Sequence, residues 1–131
     1  MAENTFHLSV VTPERSVLEC EASFVSFPAH NGEMGIMRRR APLLARLGIG
    51  RLKAETENGE REFFIDGGFA QMVENRLTIL TEAASDPSEI DRAAAEEALS
   101  EARELQVTDE RSFKARQDAL ERARVQLRLA G

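Results

Sequence analysis

Few residues in this chain have types suited to chemistry, and they are scattered. His7 and His30 are its two histidines, Cys20 is its one cysteine, and Glu33 and Asp66 are carboxylates beside glycines. An acid on a glycine-framed turn is the type of residue that serves as a general acid, but that work needs a second carboxylate or a base at matched spacing. None is identifiable around Gly32-Glu33-Met34-Gly35 or Asp66-Gly67-Gly68. No group of Cys, His and Asp has zinc-ligand spacing, and no nucleophile elbow or phosphate-loop pattern occurs. Gly67-Gly68 reads as a turn between strands rather than a phosphate nest. No base or cation cluster lies near Cys20 to stabilise a thiolate, so it reads as a small strand residue, and a lone cysteine without an internal disulfide fits a reducing compartment. The seven phenylalanines, with no Trp or Tyr, read as core filling. The expectation is no catalytic residue and no metal site, with a small hydrolase using Glu33 or Asp66 as the minority reading.

The elements that must position these residues fall into two regions. From residue 5 to about 84 the pattern is that of strands. Phe6, Leu8 and Val10 alternate with His7 and Ser9, a period of two that buries one face of a sheet. Pro13 breaks the run, and Val17-Leu18 and Phe24 to Phe27 read as further short strands. Asn58-Gly59, between Leu52 to Glu55 and Glu62 to Ile65, predicts a hairpin with a type I′ turn. Gly67-Gly68 and Glu74-Asn75 predict two more reversals, and many short strands predict an antiparallel sandwich or barrel.

Near residue 85 the pattern changes. Ser85-Asp86-Pro87-Ser88 is a helix-start cluster with Ser88 or Asp86 as cap, and the residues from Glu89 to about Leu105 are good helix formers. The expected buried stripe there is Ile90, Ala94, Ala98, Ala102 and Leu105. Thr108 or Asp109 caps a second helix to about Leu129, with a stripe of Phe113, Leu120, Ala123 and Leu127. The short link predicts an antiparallel helical hairpin. The first helical segment is acidic, with nine acids against Arg92 and Arg103 over residues 86–110. The second is basic, with Arg111, Lys114, Arg116, Arg122, Arg124 and Arg128 against Asp118 and Glu121. Exposed ion pairs contribute only ~0–1 kcal/mol each, and alanine buries little area, so the hairpin is expected to be marginal and loosely docked.

The 131 residues suit one ordinary domain or two small ones. A net charge of −6 argues against a general nucleic-acid binder. No apolar run approaches the ~20 residues of a bilayer span, and Met1-Ala2-Glu3-Asn4 has neither the basic region nor the apolar core of an export signal.

The order and spacing of several short pieces resemble the epsilon subunit of bacterial F-type ATP synthase along essentially the whole chain. The pieces are Val10-Val11-Thr12-Pro13-Glu14-Arg15, Gly32-Glu33-Met34-Gly35-Ile36 with Ala41-Pro42-Leu43-Leu44, Leu47 and Gly50, Ile65-Asp66-Gly67-Gly68-Phe69, Leu77-Thr78-Ile79-Leu80, and Ile90-Asp91. The resemblance implies a ten-stranded antiparallel β-sandwich (residues 1–85) followed by a regulatory two-helix antiparallel hairpin (residues 86–131). It implies a non-catalytic rotor subunit of the central stalk in a proton-translocating complex, at the cytoplasmic face of the bacterial inner membrane and peripheral to it only through its partners. The sandwich of such a subunit binds the gamma subunit and the c-ring, and its hairpin inhibits ATP hydrolysis by meeting the catalytic beta subunits and the alpha subunits. By resemblance the ring-facing residues are His30, Asn31, Gly32, Glu33, Met34 and Arg40, the last in Arg38-Arg39-Arg40, where members usually have histidine before Ala-Pro-Leu. Those three arginines could pair with anionic headgroups or ring carboxylates, or guard an edge strand. The inhibitory cations would be Arg111, Lys114, Arg116, Arg122 and Arg124. Some members bind ATP through Ile-Asp at the helix start and an Arg-Ala pair. Here Ile90 and Asp91 are present, but Ala94 stands at the arginine position and Arg92 is the nearest cation, so no cofactor is expected beyond ATP as a regulatory ligand of that reduced set. A free-standing sandwich adaptor for another protein is the alternative from a different class.

Overall fold

The computed structural model describes residues 4–38 and 41–130. Its strands are β1 (Phe6–Val11), β2 (Ser16–Pro28), β3 (Met34–Met37), β4 (Leu43–Thr56), β5 (Gly59–Val73), β6 (Arg76–Leu80) and β7 (Ala84–Ser85). A 3-10 turn over Pro87–Glu89 leads to α1 (Arg92–Arg103) and α2 (Glu110–Ala130). The sheet runs β1-β6-β5-β4-β2-β3, and β1 also pairs with β2, which closes it on itself. Closure removes most free edges. The alternation read in β1 buries Phe6, Leu8 and Val10 completely, together with Val25, Leu52, Ile65, Met72, Leu77 and Ile79.

The architecture is the expected sandwich followed by two helices, with differences in detail. Seven strands are assigned rather than ten, because β2, β4 and β5 are long, at 13, 14 and 15 residues. What read as separate short strands in Val17-Leu18 and Phe24 to Phe27 is one strand. β2 exchanges partners where its register shifts between Ala22 and Phe24, from β1 to β3 and β4. β5 likewise pairs with β7 before Gly67 and with β6 after it. Counting each long strand as two halves recovers ten. One pairing is not antiparallel: β1 and β6 run parallel, His7 beside Arg76 through Val11 beside Leu80.

The turn chemistry also differs from the sequence reading. The Asn58-Gly59 hairpin forms, but only Gly59 takes a positive φ, of 103°, and the two-residue loop is Glu57-Asn58. Thr56 Oγ1 accepts from the Asn58 N–H and donates to the Gly59 carbonyl, which supports that turn without a second left-handed residue. The pair of positive φ values that defines a type I′ turn occurs instead at Glu74 (50°) and Asn75 (64°). Gly67-Gly68 is no reversal. Both residues lie inside β5 with φ of 70° and 110°. A Cβ on Gly68 would collide with the Leu80 carbonyl oxygen of β6 and lie 2.8 Å from the Leu80 carbonyl carbon, so the glycine is required by the close approach of two strands.

The hairpin folds back on the sandwich, α2 packing on β4 and β5 as well as on α1. Asp86 caps only the 3-10 turn, in a reciprocal capping box with Glu89, and α1 begins later, capped by Asp91. The buried residues of α1 are therefore Ala95 and Ala102, whereas Ala94, Ala98 and Leu105 are exposed. In α2 the buried residues are Leu120, Ala123 and Val125, while Phe113 is 53% exposed. Two neighbours widen the buried arc of α2 beyond a single stripe, and Phe113 lies in its first turn. Asp109 accepts from the Ser112 N–H at 2.8 Å, and Ser112 Oγ accepts from the N–H groups of Thr108 and Asp109, so both expected cap residues are engaged.

Candidate functional site

The loop Ala29–Glu33 joins β2 to β3 on a rigid base. Pro28 pairs with Met34 at its mouth, and the Ala29 N–H donates to the Glu33 carbonyl. Gly32, at φ 91°, donates its N–H to the Ala29 carbonyl at 3.0 Å. The Asn31 side-chain oxygen accepts from the Glu33 N–H at 3.1 Å. The His30 N–H donates to the Arg46 carbonyl at 3.2 Å, and Ala29 bridges to Leu47, which ties the tip to β4. Four of the five loop N–H groups are thus bonded within the fold while His30, Asn31, Glu33 and Met34 face solvent. Among the described residues the Glu33 carboxylate has no hydrogen-bond or ionic partner. It is an acceptor held ready on a fixed turn. Arg39 and Arg40 lie outside the described residues; Arg38 is exposed, its guanidinium 4.9 Å from the Phe24 ring centroid.

One flank of this loop faces α2. Pro28, Ala29, Glu33 and Met34 form one wall of an open groove whose opposite wall carries Glu121, Val125, Arg128 and Leu129. The hairpin in this position therefore stands beside the loop without covering its tip.

A second surface escaped the sequence reading. Leu44, Phe69, Val73 and Leu80 are 66%, 47%, 39% and 46% exposed. Phe69 pairs with both Arg46 of β4 and Leu80 of β6, so these residues share the outer face of three adjacent strands. An apolar patch of this kind on a sheet face marks a contact surface. The readable signal was apolar residues at both phases of the β5 alternation, Ala70 and Met72 inward and Phe69 and Val73 outward.

The five cations expected to inhibit do not form one face. Lys114 pairs with Asp118 one turn along, at 3.1 Å. Arg116 donates to the Arg103 carbonyl at the end of α1. Arg122 donates to both carboxylate oxygens of Asp66 on β5, at 2.7 and 3.4 Å. Arg111 and Arg124 are exposed, with no ion pair among the described residues. At the start of α1, Ile90 is half-buried, Asp91 accepts from the Ala94 N–H at 3.2 Å, and Arg92 reaches Glu96 and the Leu127 carbonyl. Those contacts are structural: a cap, and a strut between the two helices.

The remaining reactive groups are held in surface or packing roles. His7 Nε2 lies 2.7 Å from Glu19 on the outer face of β1 and β2. Hydrogen bonds from His7, then Ser9 and Ser16, hold the Glu19 carboxyl below the usual range. Burial pushes the Cys20 thiol up, which keeps it protonated. Among the described residues no group of His, Cys, Asp and Glu could hold a metal ion, and no helix is long and apolar enough to cross a membrane.

The profile of the ATP synthase delta/epsilon chain beta-sandwich domain matches residues 5–87. The chain is 43% identical to the ATP synthase epsilon chain of Syntrophomonas wolfei, over 98% of this chain and 96% of that one. It is 40% identical to the epsilon chain of Rhodopirellula baltica, over 91% and 93% respectively. Its fold matches a chain of the Euglena gracilis mitochondrial ATP synthase, in a structure of the OSCP/F1/c-ring assembly, with a TM-score of 0.79 and 28% identity, covering 96% of this chain and 81% of that one. A profile spanning the sandwich, and relatives this similar along nearly the whole length, show that the chain belongs to the delta/epsilon chain family of ATP synthase, as a non-catalytic epsilon chain of that enzyme.

Proposed function

We propose that this epsilon chain is a coupling element of the central stalk. In this reading the tip of the Ala29–Glu33 loop bears on the c-ring, with Glu33 accepting from a basic or amide group there. The apolar face formed by Leu44, Phe69, Val73 and Leu80 packs against the gamma subunit. Rotation of the ring is then transmitted through a closed sheet whose two contact surfaces are fixed relative to one another. The observation that carries this is Glu33, without a partner among the described residues, on a backbone-locked turn within the same fold as an exposed apolar patch. The chain works at the cytoplasmic face of the membrane and reaches the bilayer only through the complex.

The α1–α2 hairpin is the regulatory part. Released from the sandwich, its basic second helix meets acidic segments of the beta and alpha subunits and slows ATP hydrolysis. The only residues α1 buries are alanines, Ala95 and Ala102 among the described residues, which keeps the free-energy gap between docked and released states small. Truncating the chain after Asp86 and reassembling the complex should raise ATP hydrolysis; unchanged hydrolysis would remove the inhibitory role. Phe69→Asp should abolish co-purification with gamma while the isolated chain stays folded, and retained co-purification would place gamma elsewhere. A nucleotide role for Ile90, Asp91 and Arg92 is tested by titrating the isolated chain with ATP, and no binding at millimolar nucleotide would end it.

A further inference from the structure

The contact between α2 and the sandwich contains one ion pair among the described residues, Arg122 with Asp66. Its two halves differ in character. The Asp66 backbone N–H is held by Thr81 Oγ1 and the Ala83 carbonyl, both at 3.2 Å, so the carboxylate is carried on a rigid stretch of β5 just before Gly67. Its side chain is only 23% exposed, against 40% for Arg122. The guanidinium addresses both oxygens, a forked geometry that gives direction as well as attraction. The other α2 cations with partners stay on the hairpin itself, Lys114 on Asp118 and Arg116 on the Arg103 carbonyl.

We infer that Asp66 is an internal binding site for Arg122, a latch that holds the hairpin against the sandwich and keeps this cation from any acidic partner surface. The inference rests on the reading of α2 as a basic contact helix. The Nε–Nη edge of Arg122 that forks onto Asp66 is not free to fork onto a second carboxylate, so binding an acidic surface through that edge competes with docking on the sandwich. An acidic partner therefore drives release by competing for the cation, and the small apolar interface lets one polar contact shift the balance. Salt weakens the latch, because both side chains remain partly solvated.

The test is amide hydrogen exchange on the full isolated chain, with Asp66→Asn, Arg122→Gln and the double variant. Each single substitution should raise α2 exchange about fivefold, as expected for a forked, partly covered pair at the upper end of surface values, with strand amides unchanged. The double variant should exchange no faster than either single, since both remove the same interaction. Raising ionic strength should bring the wild type towards the variants and leave the variants in place. Singles that exchange like the wild type, a double variant with additive effects, or a rise shared by the strands would each overturn the latch. Hydrolysis by the assembled complex is a separate readout: a coupled pair with no effect of truncation leaves the latch and removes inhibition, and the reverse result does the opposite.

Discussion

Gly68→Ala tests the account of β5 most severely. At φ 110° Gly68 occupies a region that L-residues rarely enter, and holding one there costs about 1–3 kcal/mol. The new Cβ would also overlap the Leu80 carbonyl oxygen and sit 2.8 Å from the Leu80 carbonyl carbon and the Thr81 Cα. All three atoms are backbone, so relief requires β5 and β6 to separate, and overpacking of this kind costs about 1–3 kcal/mol. The combined loss is about 2–6 kcal/mol, against a total stability of roughly 7–15 kcal/mol for a domain of this size. Gly59→Ala is the control, since Gly59 has a similar φ of 103° but open space where its Cβ would stand. It carries the conformational cost without the collision. With no Trp or Tyr in the chain, urea unfolding is followed by far-ultraviolet circular dichroism. The difference between the two variants then isolates the strand–strand clash. A Gly68→Ala loss below about 1 kcal/mol, or one equal to that of Gly59→Ala, would refute the claim that close approach at Leu80 dictates this glycine.

Two further outcomes follow from the loop and the caps. Glu33→Gln should leave urea stability within about 0.5 kcal/mol of the wild type, as for an exposed residue without partners among the described residues, while ATP-driven ion pumping per ATP hydrolysed falls in the assembled complex; unaltered coupling would remove the ring contact from Glu33. Hydrogen bonds from the Ser112 N–H and hydroxyl hold the Asp109 carboxyl below its ordinary value of 3.8. A depressed folded-state pKa means the cap stabilises α2 fully above that ordinary value and is lost as pH falls through the folded one. The protection factor at the first turn of α2, observed exchange set against the intrinsic rate at each pH, should therefore fall on acidification below pH 3.8 in the wild type and stay level in Asp109→Asn, and identical profiles would show that the cap does not titrate.

Much of the fold was legible in the residues because local rules and tertiary packing agree there. The alternation of Phe6, Leu8 and Val10 is the burial pattern of β1, and the change in composition near residue 85 coincides with the last strand. The loop at Gly32 was legible as a turn because its glycine takes the left-handed conformation the connection needs. The misreadings share a cause. Gly67-Gly68 and Asn58-Gly59 each look like a local signal, but what a glycine is for depends on the strand that lies across from it. The helix stripes were read in part: Ala102, Leu120 and Ala123 are buried as expected, but Val125 is buried too, because α2 packs against two neighbours at once and no single periodicity describes that.

The sequence by itself determined a strand-rich first region, a helical second one and a family resemblance, because these depend on residue types, their period and their order. Only the tertiary structure decided that β1 lies parallel to β6, that Leu44, Phe69 and Leu80 gather on one outer face, and that Arg122 meets Asp66. Each of those joins residues distant along the chain, where closing the sheet and docking α2, rather than any local preference, set what touches what.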